Sequence, residues 1–395
     1  MGRVLAWGWT GMTTSGWMNR TAMAFNRIFY PFSPRGFLSS WRLPSCRELI
    51  SSRPGLIMRP FRFSILFGTL LLLAAPLIGC SGTPGSLPAT ADTPAPGWHD
   101  VTLQHDALAR EFRFYVPEEL PDAVPVVVVL HGGSQSMQAI FSPGAGGTQE
   151  WTQIAEEEGV LLLVPNGTNL DTGAPSGDKQ AWNDCRPGTR ARPGADDVGF
   201  VAAMLDWTAD RFADTPIALD TDQAFVTGSS NGGMMTYRLA TERPGRFAAA
   251  AAFIANRPQP SECPEASVPV PMLIVNGTED PLMPYEGGPV APMFGGVGTV
   301  ASAAATRDYW GEVNRTDPTQ RSVEPLPDRT PDDGSVVVCE NDPPATTAGA
   351  PVRFCRVDGG GHLMPSIDHR LQGRQNHDVE GARLAWSFFQ QRSDP

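Results

Sequence analysis

Val126-Val127-Val128-Val129-Leu130 is an unbroken apolar run, and Val160-Leu161-Leu162-Leu163-Val164 repeats it further along the chain. A strand with one face in water alternates apolar and polar residues, whereas a strand covered on both faces reads as continuous. A helix-like stretch at 149–158 separates the two runs, so they demand a sheet sandwiched between helix layers. The same alternation continues. Helices are expected at 198–212, 234–243, 299–313 and 379–392, and strands at 224–227, 247–254, 270–275 and 352–357. The segments 101–103 and 110–116 read as an opening antiparallel pair. The expected class is α/β, with one doubly wound, mostly parallel sheet and helices on both faces. Long Gly/Pro-rich loops are expected at 166–195, 284–298 and 315–350.

Gly228-Ser229-Ser230-Asn231-Gly232-Gly233 lies between the strand at 224–227 and a helix that stops at Pro244. This G-x-S-x-G pattern in a strand-to-helix setting is what a nucleophile elbow requires. Glycines at 228 and 232 let the two elements approach closely, so that a strained turn can lift Ser230 Oγ into a cleft. A serine hydroxyl attacks only when a base takes its proton, and an imidazole held by a carboxylate does this near neutral pH. Both partners appear downstream at strand ends. The 270–275 strand runs into Asn276-Gly277-Thr278-Glu279-Asp280, and the 352–357 strand into Asp358-Gly359-Gly360-Gly361-His362. Loops at the carboxyl ends of parallel strands converge on one sheet edge, which gives Ser230 as nucleophile, His362 as base and Asp280 as its orienting acid. His131-Gly132-Gly133 follows the first central strand, so the backbone N–H groups of Gly133 and Asn231 are the expected oxyanion donors.

Glu279 rivals Asp280 as the acid, and His369 and His377 rival His362; His377 reads better as a capping or surface residue at the last helix. His99 and His105 read as surface groups, and His131 as a residue that shapes the oxyanion loop. The chain has no Cys-x-x-Cys, His-x-x-x-His or P-loop, so neither metal nor cofactor is expected.

Six segments carry a resemblance. They are Leu130-His131-Gly132-Gly133, Trp182-Asn183-Asp184, Asp196-Asp197-Val198-Gly199-Phe200, the Ser230 hexapeptide, Gly277-Thr278-Glu279-Asp280 with Pro284-Tyr285, and Gly359-Gly360-Gly361-His362. Their spacing from about 105 to 390 resembles the polyhydroxybutyrate-depolymerase and feruloyl-esterase family of secreted α/β-hydrolases. The resemblance implies a serine esterase whose triad positions are Ser230, Asp280 and His362. It also places Trp182 beside the acyl or alcohol pocket as a substrate-binding residue, with a buried aromatic supporting the loop as the alternative. Two departures border the cleft. Where the family has Trp-x-x-x-Asn-Gly-Cys, this chain has Trp310 and then Asn314-Arg315-Thr316; after His362 stands Leu363-Met364-Pro365 rather than x-Trp-Pro.

The N-terminal 80 residues read as an address. Met58-Arg59-Pro60-Phe61-Arg62 is basic, 65–76 is an apolar run of signal-peptide length, and Leu77-Ile78-Gly79-Cys80 resembles the bacterial lipobox. The expected division is a mis-called extension at 1–57, a lipoprotein signal peptide at 58–79, a flexible tether at 80–97 and a catalytic domain at 98–395. Cys80 would carry the lipid, and Ser81 after it favours an outer membrane where the cell has one; the alternatives are a plain secretory signal, which would leave the protein extracellular, or a membrane anchor. Export sets an oxidising compartment for Cys185, Cys263, Cys339 and Cys355. Three pairings are possible. Joining Cys339 to Cys355 at a strand edge leaves Cys185 with Cys263; free buried thiols are the alternative.

Residues 1–79 hold nine Arg and one acid, so of 30 basic and 42 acidic residues the remainder keeps 21 and 41, a net of −20. Such a polyanionic body argues against nucleic acid as a partner. The expected function is hydrolysis of an extracellular polyester or polysaccharide-linked ester by an envelope-anchored enzyme. The alternatives are a serine peptidase of the prolyl-oligopeptidase type, for which no preceding repeat domain is visible, and a non-catalytic binding lipoprotein that kept the fold. Oligomeric state is not legible.

Overall fold

The computed structural model describes residues 93–395 apart from 170, 189–194, 292–297 and 394–395. These all fall in one compact unit, Gly82–Pro395. Cys80, the signal segment and most of the tether lie outside the described residues.

The apolar runs become the centre of a sheet. In chain order its elements are β1 (Gly97–His105), β2 (Leu108–Val116), β3 (Val126–Leu130), α1 (Glu150–Glu158), β4 (Leu161–Pro165), α2 (Asp197–Phe212), β5 (Ala224–Ser229), α3 (Asn231–Glu242), β6 (Phe247–Phe253), β7 (Met272–Gly277), α4 (Ala303–Asn314), β8 (Ser322–Pro325), β9 (Val336–Asp342), β10 (Val352–Asp358) and α5 (Gly381–Ser393). The ten strands run in the order β1-β2-β4-β3-β5-β6-β7-β10-β9-β8. From β4 to β10 every neighbouring pair is parallel, while β1-β2 and β9-β8 attach antiparallel at the two edges. This is the doubly wound sheet of an α/β-hydrolase.

Period-two geometry divides β3 between two cores. Val126, Val128 and Leu130 share a core with Phe200 and Met204 of α2, Met234 of α3 and Trp310 of α4. Val127 and Val129 face α1 and α5 through Trp151, Ile154, Trp386 and Phe389. Every residue of β3 is therefore buried, each side chain contributing about 1.5–3 kcal/mol of transfer free energy. Helix ends follow local chemistry. Asp196 accepts the Gly199 N–H to start α2, Ser302 accepts that of Ala305 to start α4, and Gly159 at φ 65 ends α1.

The expected loop at 315–350 is corrected: it contains the β8-β9 hairpin, which widens the sheet by two strands. Helix α4 starts at Ala303, because Thr299–Val300 pairs with Gly288–Pro289 as a short strand. Helix α3 begins at Asn231, directly after Ser230, and α5 at Gly381. The disulfides are Cys185–Cys263 and Cys339–Cys355. The second joins register partners on β9 and β10.

Candidate active site

Ser230 stands where β5 turns into α3, with φ 57 and ψ −121. Side chains seldom tolerate that backbone conformation, and it persists only where the surroundings enforce it. Glycines supply the enforcement by allowing close approach. A Cβ on Gly228 would lie 2.5 Å from the Gly232 carbonyl, and one on Gly232 would lie 2.5 Å from the carbonyl oxygens of both Leu130 and His131. The Ser230 N–H donates to Phe253 O at 2.9 Å, tying the turn to β6.

Asp280 follows β7 and His362 follows β10, and these strands are neighbours. Their loops are stitched together: Thr278 N–H donates to Val357 O at 3.0 Å and Glu279 N–H to Gly360 O at 2.8 Å. The result brings three sequence-expected side chains into one chain of hydrogen bonds. His362 Nε2 lies 2.9 Å from Ser230 Oγ, and His362 Nδ1 lies 2.7 Å from Asp280 Oδ2. The other Asp280 oxygen accepts the N–H groups of Leu282 and Met283, both at 2.8 Å. With Nδ1–H given to the carboxylate, Nε2 is free to accept the serine proton.

The rivals are elsewhere. Glu279 is exposed and pairs with Arg374. His369 Nε2 sits 3.4 Å from Glu150, and His377 Nδ1 donates to Ser366 O at 2.9 Å, ahead of α5 rather than capping it. His99 bonds Ala95 O, and His105 lies 3.1 Å from Asp196. His131 is fully buried; its Nδ1–H donates to Gly132 O at 2.8 Å and its Nε2 accepts the Gly167 N–H at 3.0 Å. Burial pushes its pKa down to about 4, so the ring stays neutral and shapes the loop.

Gly133 and Asn231 are adjacent, since a Cβ on Gly133 would sit 3.6 Å from that of Asn231. Both line a cleft of about 370 Å³ together with Ser230 and His362. Its walls are largely apolar, with Ile254, Met283, Val290, Met364 and Leu371. Ile254 holds φ 46, a strained state for a β-branched residue, at the end of β6 beside the elbow.

Trp182 does not line this cleft. It has no exposed surface, its ring lies 4.7 Å from that of His131, and its indole N–H donates to His131 O at 2.9 Å. That position departs from the substrate-binding role expected for it. Sequence reasoning missed Asp184, Arg186 and the side chain of Asn231, which form a buried network with Trp182. Asp184 stands in the quoted Trp182-Asn183-Asp184 segment, but a lone acid beside a cysteine carries no periodic signal that would give it a role.

Among the described residues, two groups have metal-like spacing. Cys185, Glu242 and Cys263 have their sulfurs committed to a disulfide. In the other, Glu150 pairs with Arg383, Glu380 accepts from Ser366 and Ile367, and Asp368 is exposed.

No protein-family profile matches the chain. It is 28% identical to the putative esterase NocK of Nocardia uniformis over 255 residues, 62% of this chain and 67% of that protein. It is 29% identical over 142 residues to acetylxylan esterase A of Emericella nidulans, covering 36% of this chain and 41% of that one. Feruloyl esterase B of Thermothelomyces thermophilus is 30% identical over 139 residues, covering 35% and 42%. These likenesses support a carboxylic ester hydrolase. The matched segments span only about two fifths of the last two relatives. A solved acetyl xylan esterase from Aspergillus awamori overlays with a TM-score of 0.48 at 18% identity, over 74% of this chain and 98% of that one.

Proposed function

We propose that this chain is a serine esterase working through an acyl-enzyme. The observation that carries the reading is the pair of contacts on one imidazole, 2.9 Å to Ser230 Oγ and 2.7 Å to Asp280 Oδ2. Ser230 Oγ attacks the ester carbonyl while His362 Nε2 takes its proton, and Asp280 stabilises the imidazolium. The tetrahedral oxyanion rests on the N–H groups of Gly133 and Asn231. Collapse expels the alcohol, which leaves with the proton from His362. Water, deprotonated by the same nitrogen, then attacks the acyl carbonyl and frees Ser230.

The substrate is an ester on an extracellular polymer, either an acyl group on plant polysaccharide or a polyester such as polyhydroxybutyrate. Supporting this are the acetylxylan and feruloyl esterase relatives and the apolar cleft. Export with a lipid on Cys80 is supported by the lipobox-like segment and by the two disulfides of the body. Among the described residues no helix is long and apolar enough to cross a membrane.

Turnover of p-nitrophenyl acetate and butyrate by the purified full chain tests the chemistry. Ser230→Ala should lower kcat by about 10⁴-fold or more; equal rates in both proteins would remove the nucleophile assignment. Polyhydroxybutyrate, methyl ferulate and acetylated xylan compared side by side then select the polymer. Mass analysis of the mature N-terminus tests the anchor: acylated Cys80 is expected, and a mature chain retaining Trp7 would refute it.

A further inference from the structure

We infer that Asp184, acting through the side chain of Asn231, is a positioning residue that fixes both halves of the oxyanion site. The inference rests on the esterase reading above. An oxyanion hole works only if its donors are held in place before the reaction, and an error of an ångström can cost about 100-fold in rate. Here the donor turn is strained at Ser230, which has no side-chain cap hydrogen bond of its own. A side-chain contact beyond the strained residue itself must hold it.

The Asn231 side chain does so. It is 6% exposed, and its amide is engaged at both ends. Oδ1 accepts the Trp182 N–H at 2.7 Å; Nδ2 donates to Trp182 O at 3.1 Å and to Asp184 Oδ2 at 2.6 Å. The last is a charge-assisted bond, shorter and stronger than a neutral one. Asp184 is completely buried and is itself held by Arg186, whose Nη2 lies 2.7 Å and Nε 3.0 Å from Oδ2.

The same short segment reaches the other donor. The Trp182 indole holds His131 O at 2.9 Å, two residues before Gly133, and Gln135 Oε1 accepts the Gly132 N–H at 2.9 Å. The segment is anchored on both sides. Asn183 N–H donates to Asp197 Oδ2 at 2.8 Å, and Cys185 is bonded to Cys263. Trp182 to Arg186 is thus a brace whose side chains and backbone grip Asn231 on one end and the His131-Gly132-Gly133 loop on the other. A bond that merely satisfied a buried amide would not need to span both donor loops.

The test compares kcat, KM and inhibition by an aryl trifluoromethyl ketone, whose hemiketal oxyanion occupies the donor site. Asn231→Ala and Asp184→Asn should each lower kcat by about 10-fold to 100-fold with KM within about twofold, because the lost interaction acts in the transition state. The inhibition constant of the ketone should rise in proportion to the fall in kcat/KM. Trp182→Phe keeps an aromatic side chain while deleting the indole N–H bond to His131 O together with part of the buried ring; it should show the same pattern, more weakly, and serves as the readout where the first two variants fail to fold. Folded variants with kcat within threefold of wild type would overturn the brace. So would a fall in kcat that leaves the ketone constant unmoved. Wild type that neither turns over esters nor binds the ketone would instead sink the esterase reading, and the brace with it.

Discussion

Asp280 and Glu279 are chain neighbours with opposite placements: the Asp280 carboxylate is 2% exposed and faces His362, while Glu279 is about half exposed against Arg374. The loop after β7 makes this choice by donating the Leu282 and Met283 N–H groups to Asp280 Oδ1. Asp280→Asn would keep that geometry but favour the wrong imidazole tautomer, so kcat should fall by about 10⁴-fold in a folded protein. Glu279→Gln should leave kcat within about twofold, since an exposed ion pair contributes little. Ester turnover by the two variants, with circular dichroism as the folding control, decides between the carboxylates. Comparable losses in both would reopen the acid assignment.

Gly232 tests the elbow by volume alone. The Cβ of Gly232→Ala would meet the carbonyl oxygens of Leu130 and His131 at 2.5 Å, and both are backbone atoms in or beside a central strand. Neither can rotate away, so the substitution should destabilise the fold by about 1–3 kcal/mol and displace Ser230 as well. Chemical denaturation and labelling by a fluorophosphonate read the two effects separately. A variant with unchanged midpoint and labelling rate would contradict the packing described for the turn.

The parallel sheet and the hydrogen-bonded chain of Ser230, His362 and Asp280 were legible because their signals are local. A five-residue all-apolar run rich in valine, such as Val126–Leu130, reads as a doubly covered strand, and the loops after such parallel strands gather at one edge. The β8-β9 hairpin was hidden by Pro325, Pro327 and Pro331, which made its surroundings read as loop, although Val336-Val337-Val338 was itself a strand signal. The brace left no trace of this kind. Its bonds join a side chain at 231 to backbone at 182, a separation of 49 residues, and no periodicity encodes such a contact. Trp182 shows the limit from the other side: the motif marked it, but only burial distinguished support from substrate contact.

Arg315 occupies the position where the resembling family carries glycine, and it ends α4 in the left-handed conformation at φ 54, ψ 49. A side chain there strains against the carbonyl, costing roughly 1 kcal/mol relative to glycine. Its N–H still closes the helix on Gly311 O and Glu312 O. Arg315→Gly should therefore raise stability by about 1 kcal/mol, an increase in Tm of about 2 °C for a body of this size. Activity should be unchanged. Differential scanning calorimetry checks the direction, and a lowered Tm would show that the arginine side chain outweighs its backbone strain.

His131 gives the fold a defined acid sensitivity. Burial holds its pKa at about 4, below the value of about 6.5 expected in an unfolded chain. Between those two values the unfolded chain binds a proton that the folded chain refuses, so stability falls as pH drops through that window. The contribution is full above pH about 6.5 and amounts to about 3 kcal/mol lost by pH about 4. Carboxylates elsewhere add their own acid dependence, so the informative quantity is a difference between proteins. His131→Gln, which cannot titrate, should be less stable than wild type near pH 7 because it gives up the paired contacts to Gly132 O and Gly167 N–H. Its loss of stability between pH 7 and 4 should nevertheless be smaller than that of wild type by roughly the same 3 kcal/mol. Urea midpoints across that range measure it, and parallel curves for the two proteins would mean that the imidazole accepts a proton without cost in its buried site.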